Sequence, residues 1–263
     1  MGALNRILTF ARDVRGAARF RGQFYTNLYR GVYASYAEAV QAIPTQGLKG
    51  FEHDVVIKFF EGEEGQWKYH DYPAAFWLRD ALRTENSAFD LGGGWGQAYY
   101  AYKNYFAFPQ NLCWLVCDTP AFAERGREIA ENRGEKHLKF TVNPADADGC
   151  GILLTGGTLQ YMEDDLPVIL DRLDKKPNHI IAHRIPVYDG PQFYTVQRMV
   201  YSYAVNKVMN KEEFVKGVIR CGYTLRDSWA QSRSLKVMFH PERLVPDYSG
   251  FYFVMNNGSS RHY

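Results

Sequence analysis

The chain has 263 residues, a formal net charge of +2 and four cysteines. This length suits one sizeable α/β domain with an N-terminal extension, and the small net charge gives no electrostatic case for nucleic acid as the main partner. The cysteines lack CxxC spacing and disulfide-rich density, which excludes a disulfide scaffold, and no run approaches the roughly 18 apolar residues of a membrane span.

Residues 1–22 are predicted to form a basic amphipathic helix. They contain five arginines and one acid, Asp13. The apolar positions that fall near helical spacing are Leu4, Ile7, Leu8, Ala11, Val14 and Ala18. Such a helix docks on the domain, belongs to an oligomer contact, or attaches transiently to an anionic membrane surface. No secretory apolar region follows the N-terminus, so we expect a cytoplasmic protein, with peripheral membrane attachment left open.

The N-terminal extension is predicted to continue to residue 72. Up to residue 50 it is expected to consist of helices and connecting segments, and residues 51–72 are rich in aromatic and charged side chains. Ser35 is a candidate N-cap residue, with Glu38 as its partner in a capping box. An aromatic and charged segment follows and ends at Tyr72. Pro73 then starts an apolar helix, because proline suits the first helical turn. We therefore divide the chain into an extension, 1–72, and a domain, 73–263.

From residue 87 onward, predicted strands and helices alternate. The strands are 88–91, 113–117, 138–142, 151–155 and 179–183, and the helices lie near 97–106, 121–132, 165–174 and 214–220. This alternation predicts a parallel sheet that is covered by helices on both faces. Two late strands, 224–229 and 251–255, are expected to pair antiparallel at the sheet edge. Residues 188–210 interrupt the alternation and are predicted to form an insertion.

The first strand of this domain ends in an acid and runs into a glycine-rich loop. These residues are Asp90, Gly92, Gly93, Gly94 and Gly96. Glycine lets the backbone turn tightly and lets a ligand approach it, and the amide groups at the start of the next helix suit an anionic ligand. The spacing differs from the dinucleotide fingerprint G-x-G-x-x-G, because Gln97 stands at the last glycine position.

Two other strand ends carry candidate ligands. The second strand ends in Asp118, whose carboxylate can accept both ribose hydroxyls of an adenosine; alternatively, Asp118 is the N-cap residue of the helix after Pro120. The fourth strand ends in Thr155, Gly156 and Gly157. Gln160 and Tyr161 follow, and they either point polar groups to a reaction centre or pack at a helix start.

The glycine loop and these strand ends together resemble class I S-adenosylmethionine-dependent methyltransferases. The likeness narrows to a methyltransferase group that is found largely in bacterial gene clusters for surface polysaccharides, and it covers most of the chain from about Phe24. It rests on residues 33–39, 89–94, 155–161, 183–187 and 221–225. The resemblance implies an α/β fold with a Rossmann-like, seven-stranded sheet. This sheet would be mostly parallel, with one antiparallel edge strand, helices on both faces and an N-terminal helical extension.

The resemblance also implies a function. We expect S-adenosyl-L-methionine as the cofactor and methylation of an oxygen, in preference to a nitrogen, of a sugar-related or other small-molecule acceptor. The cofactor ligands would be Asp90, Gly92, Gly93, Gly94, Gly96, Asp118, Thr155, Gly156 and Gly157. Two rival functions are a non-catalytic module of this fold within a biosynthetic complex and a nicotinamide-dependent enzyme, which the glycine spacing disfavours.

A hydroxyl acceptor needs a general base, for which His183 and His70 are the candidates, and Tyr161 is a further candidate catalytic residue. His183 ends the fifth predicted strand, where ligands bind in such sheets, but either histidine could instead be a buried, hydrogen-bonded one. The candidate acceptor-binding residues are Tyr72, Gln160, Arg184, Tyr194 and Arg198. Aromatic packing and solvated arginines are the alternatives. No metal site is predicted, because the histidines lack ligand spacing.

Overall fold

The computed structural model describes residues 3–21, 27–61 and 69–256; the side chains of residues 3–6, 21, 54, 59–61 and 70 lie outside this description. The helices are α1 (Ala3–Arg21), α2 (Tyr36–Gln41), α3 (Asp54–Glu61), α4 (Tyr72–Ala81), α5 (Gln97–Lys103), α6 (Pro120–Asn132), α7 (Leu166–Asp171) and α8 (Lys211–Arg220). Short 3-10 helices span Tyr69–Asp71, Pro144–Ala147 and Leu159–Tyr161.

The strands form two sheets. In chain order they are β1 (Leu28–Tyr33), β2 (Leu48–Lys49), β3 (Ser87–Leu91), β4 (Cys113–Cys117), β5 (Leu138–Thr141), β6 (Ile152–Gly156), β7 (His179–Ile185), β8 (Val187–Tyr188), β9 (Phe193–Arg198), β10 (Ser202–Asn210), β11 (Tyr223–Gln231), β12 (Leu235–Met238), β13 (His240–Val245) and β14 (Tyr248–Met255).

The main sheet has seven strands in the order β11-β14-β7-β6-β3-β4-β5. All neighbours are parallel except at β14, which runs antiparallel to both β7 and β11. The predicted seven-stranded, mostly parallel sheet is therefore confirmed. The antiparallel strand was expected at the edge, but it lies one position inside, because β11 pairs on its outer side.

The central strands of the main sheet are buried on both faces, as expected for parallel strands. Successive residues of β6 face opposite ways, so Leu153 joins the apolar cluster under α7 and α8, while Ile152 and Leu154 join the cluster under α4, α5 and α6. All three side chains are at most 1% exposed. The prediction of helices on both faces is confirmed, and the apolar runs of the sequence are explained by this two-sided burial.

A second sheet contains strands that the sequence analysis did not anticipate. Its order is β13-β12-β1-β9-β10-β2, and β8 pairs with β10. Strand β1, within the stretch interpreted as a helical extension, pairs antiparallel with β9 and parallel with β12. Strands β9 and β10 occupy most of the predicted insertion. The division of the chain at residue 72 stays a prediction, but hydrogen bonds join the two parts.

Local helix signals read from the sequence are found in the structure. The hydroxyl oxygen of Ser35 caps α2 by accepting a hydrogen bond from the backbone N–H of Glu38 at 3.2 Å, and the Glu38 carboxylate accepts from the backbone N–H of Ala34 at 3.1 Å. Pro73 lies in the first turn of α4. These contacts satisfy backbone donors that a helix start leaves open.

The second sheet covers the edge of the main sheet at which its parallel strands end. Adjacent residues of a strand point to opposite faces, so Gln197 and Arg198 of β9 face opposite ways. Gln197 Oε1 accepts a hydrogen bond from the Tyr161 hydroxyl at 3.0 Å, and Tyr161 follows the end of β6. The inner face of the second sheet is therefore the one beside the strand ends, and α1 and α2 pack on its outer face.

The contact between α6 and β5 gives a test of the packing. A Cβ atom added to Gly126 of α6 would lie 2.1 Å from Cε1 of Phe140, a distance at which the ring or the helix must move. We expect Gly126→Ala to reduce the free energy of unfolding by about 1–3 kcal/mol, as overpacking does. Urea denaturation measures this. Glu131→Ala, at an exposed position of the same helix, is the control and should change stability by about 0.5 kcal/mol or less; an equal effect of both substitutions would contradict the packing.

Candidate active site

The glycine loop between β3 and α5 is bonded to the neighbouring strand. Gly92, Gly94 and Gly96 have φ angles of +73°, +61° and +98°. The backbone N–H of Gly92 donates to the carbonyl of Cys117 at 2.7 Å. At Gly93 an added Cβ would lie 2.4 Å from a carboxylate oxygen of Asp90. A side chain at these positions would strain or displace the loop, which accounts for the run of glycines.

Asp118, at the end of β4, accepts hydrogen bonds with both carboxylate oxygens. Oδ2 accepts from the backbone N–H of Gly94 at 2.8 Å, and Oδ1 accepts from the N–H of Thr119 at 2.7 Å. Burial raises the pKa of Asp118, while these two amides act in the opposite direction. The N-cap residue of α6 is Thr119, so the helix-cap alternative for Asp118 is wrong. Each oxygen retains a second lone pair for a further donor.

Asp90 lies behind the same loop and is 2% exposed. Its Oδ2 accepts a hydrogen bond from the indole N–H of Trp114 at 3.3 Å. Burial raises the pKa of Asp90 to about 7; the indole donor and Arg184 act against this shift, and the charge of Asp118 adds to it. The charge of this carboxyl group therefore changes near neutral pH.

At the end of β6, small residues allow side chains of β7 to lie across the strand. An added Cβ at Gly156 would be 2.6 Å from His183 Nε2 and 2.8 Å from Arg184 Nη2. Gly157 has a φ of +78° and donates its N–H to the carbonyl of His183 at 2.9 Å. The hydroxyl of Thr155 is buried and has no hydrogen-bond partner among the described residues. The structure thus brings the predicted groups of β6 and β7 together.

The end of β7 is irregular at His183 and Arg184. The pairing of β7 with β14 shifts register here, and Arg184 has a φ of +58°. A positive φ is uncommon for a residue with a side chain, and such strain clusters at functional sites. The Nε–H group of Arg184 is buried and has no hydrogen-bond acceptor within the described ranges. The charge of its guanidinium lowers the pKa of Asp90. Arg184 was predicted to bind the methyl acceptor; in the structure its charge also acts on Asp90, behind the glycine loop.

Asp71 is a candidate residue that the sequence analysis missed. Its Oδ1 lies 3.9 Å from His183 Nδ1, and the two side chains are 14% and 3% exposed. Asp71 stands at the N-cap position of α4, yet its side chain makes no capping hydrogen bond. An acid directly before a helix is expected to cap it, so only the fold shows that this carboxylate lies beside β7.

The neighbours of Asp71 in the sequence, His70 and Tyr72, were also predicted as site residues. The side chain of His70 lies outside the described part of the structure, so its role as a general base stays a prediction. Tyr72 is 57% exposed on α4. Its role in acceptor binding also stays a prediction.

Gln160 and Tyr161 hold the loop after β6 in place. Gln160 Nε2 donates to the carbonyl of Gly157 at 2.9 Å, and the Tyr161 hydroxyl donates to Gln197. The Tyr161 ring lies 4.9 Å from that of Phe51, centroid to centroid. Burial raises the pKa of Tyr161 to about 12, so its phenol is protonated at neutral pH. These contacts favour a positioning role over a role as base.

Tyr194 and Arg198 lie on the outer face of the second sheet. The Tyr194 ring meets Tyr36 of α2 at 6.1 Å, and the Arg198 guanidinium lies 4.6 Å from the ring centroid of Tyr203. Arg198 lines a pocket of about 1050 Å³ that also includes Arg30. Tyr194 and Arg198, which were predicted to bind the methyl acceptor, therefore lie on the side of the second sheet that packs against α2, opposite Gln197.

Comparison with known proteins identifies the fold. No protein-family model matches the chain, and no curated protein is significantly similar in sequence. An S-adenosylmethionine-dependent methyltransferase from Clostridium acetobutylicum matches with a TM-score of 0.51 and 9% identity over 78% of this chain and 100% of that one. Magnesium protoporphyrin IX methyltransferase from Synechocystis, solved with bound S-adenosylhomocysteine, has the same TM-score and identity, over 78% and 96%. The chain therefore has the Rossmann-like methyltransferase fold.

The raised pKa of Asp90 predicts a pH-dependent stability. A carboxyl group with pKa 3.8 unfolded and about 7 folded binds its proton more tightly in the native state, so its stabilising effect is lost as pH rises between these values. Asp90→Asn keeps an acceptor for Trp114 but cannot ionise. From pH 5 to pH 8 we expect the variant to gain about 3 kcal/mol of unfolding free energy relative to the wild type.

Urea denaturation at both pH values measures this difference. The exposed Asp171→Asn is the control, because Asp171 is paired with Lys176 at the surface. A constant difference between the Asp90 variant and the wild type would contradict the buried, proton-binding Asp90.

Proposed function

We propose that this protein is a class I S-adenosyl-L-methionine-dependent methyltransferase that methylates an oxygen of a sugar-related or other small-molecule acceptor. The observation that carries the proposal is Asp118, which bonds the glycine loop at the strand ends of a methyltransferase-fold sheet. Support also comes from the two similar structures, which are both methyltransferases; one of them is a magnesium protoporphyrin IX methyltransferase, which acts on a small molecule.

The residues at the strand ends fit this cofactor. Strand β3 has β4 on one side and β6 on the other, so the chain switches direction across the sheet here, and ligands of open α/β sheets bind at such points. Asp118 is partly exposed, and its carboxylate oxygens have lone pairs available for ribose hydroxyls. Thr155 and Arg184 offer a buried hydroxyl and a buried N–H at the neighbouring strand ends, each without a partner among the described residues.

We assign the following binding roles within this proposal. Asp118 holds the ribose, and the loop of Gly92 to Gly96, with Asp90 behind it, lies along the amino-acid part of the cofactor. Thr155, Gly156 and Gly157 border its methionine end. Arg184 supplies a cation for a carboxylate of either cofactor or acceptor, because its planar guanidinium suits that group.

When bound, the cofactor supplies an electrophilic methyl group for in-line displacement. His183 is the proposed general base, which takes the proton that the acceptor hydroxyl loses. Its Nδ1 is the nitrogen near Asp71, so Nε2, beside Gly156, is the atom that receives the proton. The Asp71 carboxylate favours the resulting imidazolium by its charge.

The acceptor is proposed to bind between the strand ends and the inner face of the second sheet. The Tyr161–Gln197 hydrogen bond joins the two surfaces, and Gln197 also accepts from Asn206 Nδ2 at 3.0 Å. Hydroxyl and amide groups of this kind suit a hydroxylated, sugar-related molecule. A role in bacterial surface-polysaccharide biosynthesis rests on the sequence resemblance alone.

Cofactor binding is tested on Asp118. We expect Asp118→Ala to weaken binding of S-adenosylhomocysteine by about 1–3 kcal/mol, because the ribose acceptor and the support of Gly94 are both lost. Isothermal titration calorimetry measures the affinity, and circular dichroism checks that the variant is folded. Asp171→Ala, at an exposed carboxylate of α7, is the matched control and should bind as the wild type does. Equal affinity in all three proteins, or none in the wild type, would contradict the proposed site.

Catalysis is tested on His183 and Asp71. With cofactor labelled in its methyl group and a panel of hydroxylated acceptors, we expect His183→Asn to abolish transfer and Asp71→Asn to reduce it about 100-fold. Both variants should bind S-adenosylhomocysteine with near wild-type affinity. The control is Asp80→Asn, at a surface carboxylate of α4 that pairs with Arg83. Full turnover by the His183 variant would remove it as the base, and cofactor binding without transfer by the wild type to any acceptor would favour the non-catalytic module.

A further inference from the structure

Helix α1 exposes an apolar row to solvent. Ile7, Phe10 and Val14 lie three and four residues apart, so they share one side of the helix, and they are 64%, 63% and 49% exposed. An amphipathic helix of a globular protein normally turns its apolar side to the core. Here the apolar side is the outer one.

The orientation of α1 is fixed by contacts on its other side. Asp13 is 6% exposed, and its Oδ2 accepts the backbone N–H of Phe239 at 2.9 Å. Phe20 is 3% exposed, and its carbonyl accepts a hydrogen bond from the Tyr203 hydroxyl at 2.6 Å. An added Cβ at Gly16 would lie 2.7 Å from Met238 Sδ, so the helix approaches β12 closely. The outward apolar row is therefore set by this attachment.

The turn between β12 and β13 extends the row. Phe239 in this turn is 42% exposed, and its ring lies 6.1 Å from that of Phe10. It has a φ of +65°, an uncommon backbone conformation for a bulky residue. The hydrogen bond from its N–H to Asp13 holds this conformation. Two separate parts of the chain thus present adjacent phenyl rings to solvent.

A row of arginines lies on the other exposed flank of α1, about 140° around the helix from the apolar row. Arg12, Arg15 and Arg19 are spaced three and four residues apart and are exposed. The Arg12 side chain is 59% exposed, and its guanidinium lies 3.3 Å from Asp13. Asp13 is the one acid in the sequence of α1, and it faces inward. The outer side of α1 therefore combines exposed apolar groups with positive charge.

We propose that the α1 surface, formed by Ile7, Phe10, Val14, Phe239 and the three arginines, docks on an anionic lipid surface. Apolar side chains enter the boundary between headgroups and acyl chains, and the arginines pair with headgroup phosphates; together these supply the two attractions that stable peripheral attachment requires. A second copy of the chain is a poorer occupant, because a two-fold contact over this surface would bring like charges together. Within the described ranges no helix is long and apolar enough to span a bilayer.

Vesicle co-sedimentation of the full chain tests this surface. We expect binding to phosphatidylcholine vesicles that contain phosphatidylglycerol and little binding to phosphatidylcholine alone. Phe10→Ser with Val14→Ser, and separately Arg12→Gln with Arg15→Gln, should each reduce the partition coefficient about tenfold or more. The controls are Phe76→Ser, since Phe76 of α4 has the same 63% exposure as Phe10, and Arg172→Gln, whose side chain is 60% exposed; both should bind as the wild type does.

Three results of the vesicle experiment would overturn the proposal. These are the absence of vesicle binding, equal binding to neutral and anionic vesicles, and loss of binding in the controls as great as in the α1 variants. Light scattering after size-exclusion chromatography measures the oligomeric state and tests the alternative that the surface is a contact between copies of the chain. If the wild type is a dimer that the α1 substitutions convert to a monomer, the surface is a contact between copies and not a lipid site. None of these readouts depends on methyl transfer.

Discussion

The site depends on one pair of hydrogen bonds, those by which Asp118 accepts the backbone N–H groups of Gly94 and Thr119 at 2.8 and 2.7 Å. They join the glycine loop after β3 to the start of α6 after β4. The main sheet sets up this contact, because parallel strands bring β3 and β4 to the same edge in register. A charged acceptor strengthens both bonds, so a loop of glycines, which is intrinsically flexible, is held in one conformation. Asp90 beneath the loop supplies a second, proton-dependent contribution.

Around that edge, residues distant in sequence converge. Asp71 comes from the segment before α4, His183 from β7, and Gln197 from the second sheet. The bulge at Arg184 and the small Gly156 allow the β7 side chains to lie across β6. The N-terminal part of the chain contributes β1 to the sheet that covers the edge, so it is joined by hydrogen bonds to the strands nearest the proposed acceptor site. The exposed side of α1 faces away from the second sheet and takes no part in covering the strand ends, so we assign it a separate partner, an anionic lipid surface.

The parts of the fold that the sequence predicted are those set by local chemistry. The central strands of the main sheet are largely apolar because both of their faces are buried. The Ser35 cap and the glycine loop are encoded within a few residues. Strand β1 was missed because its partners, β9 and β12, lie far along the chain, and pairing over such distances leaves no local pattern. The Asp71–His183 pair was missed for the same reason. The role of Arg198 in acceptor binding stays a prediction. Adjacent residues of a strand face opposite ways, so only the fold shows that Gln197 points to the strand ends and Arg198 to the outer face.

The central claim is that the turn from Gly92 to Gly96 binds the amino-acid part of an adenosyl cofactor while Asp118 binds its ribose. A crystal structure of the protein grown with S-adenosylhomocysteine tests this most directly. The account predicts both ribose hydroxyls within hydrogen-bond distance of Asp118 and the ligand along the glycine loop. Ligand density elsewhere, or an Asp118 carboxylate that makes no contact with the ligand, would contradict it.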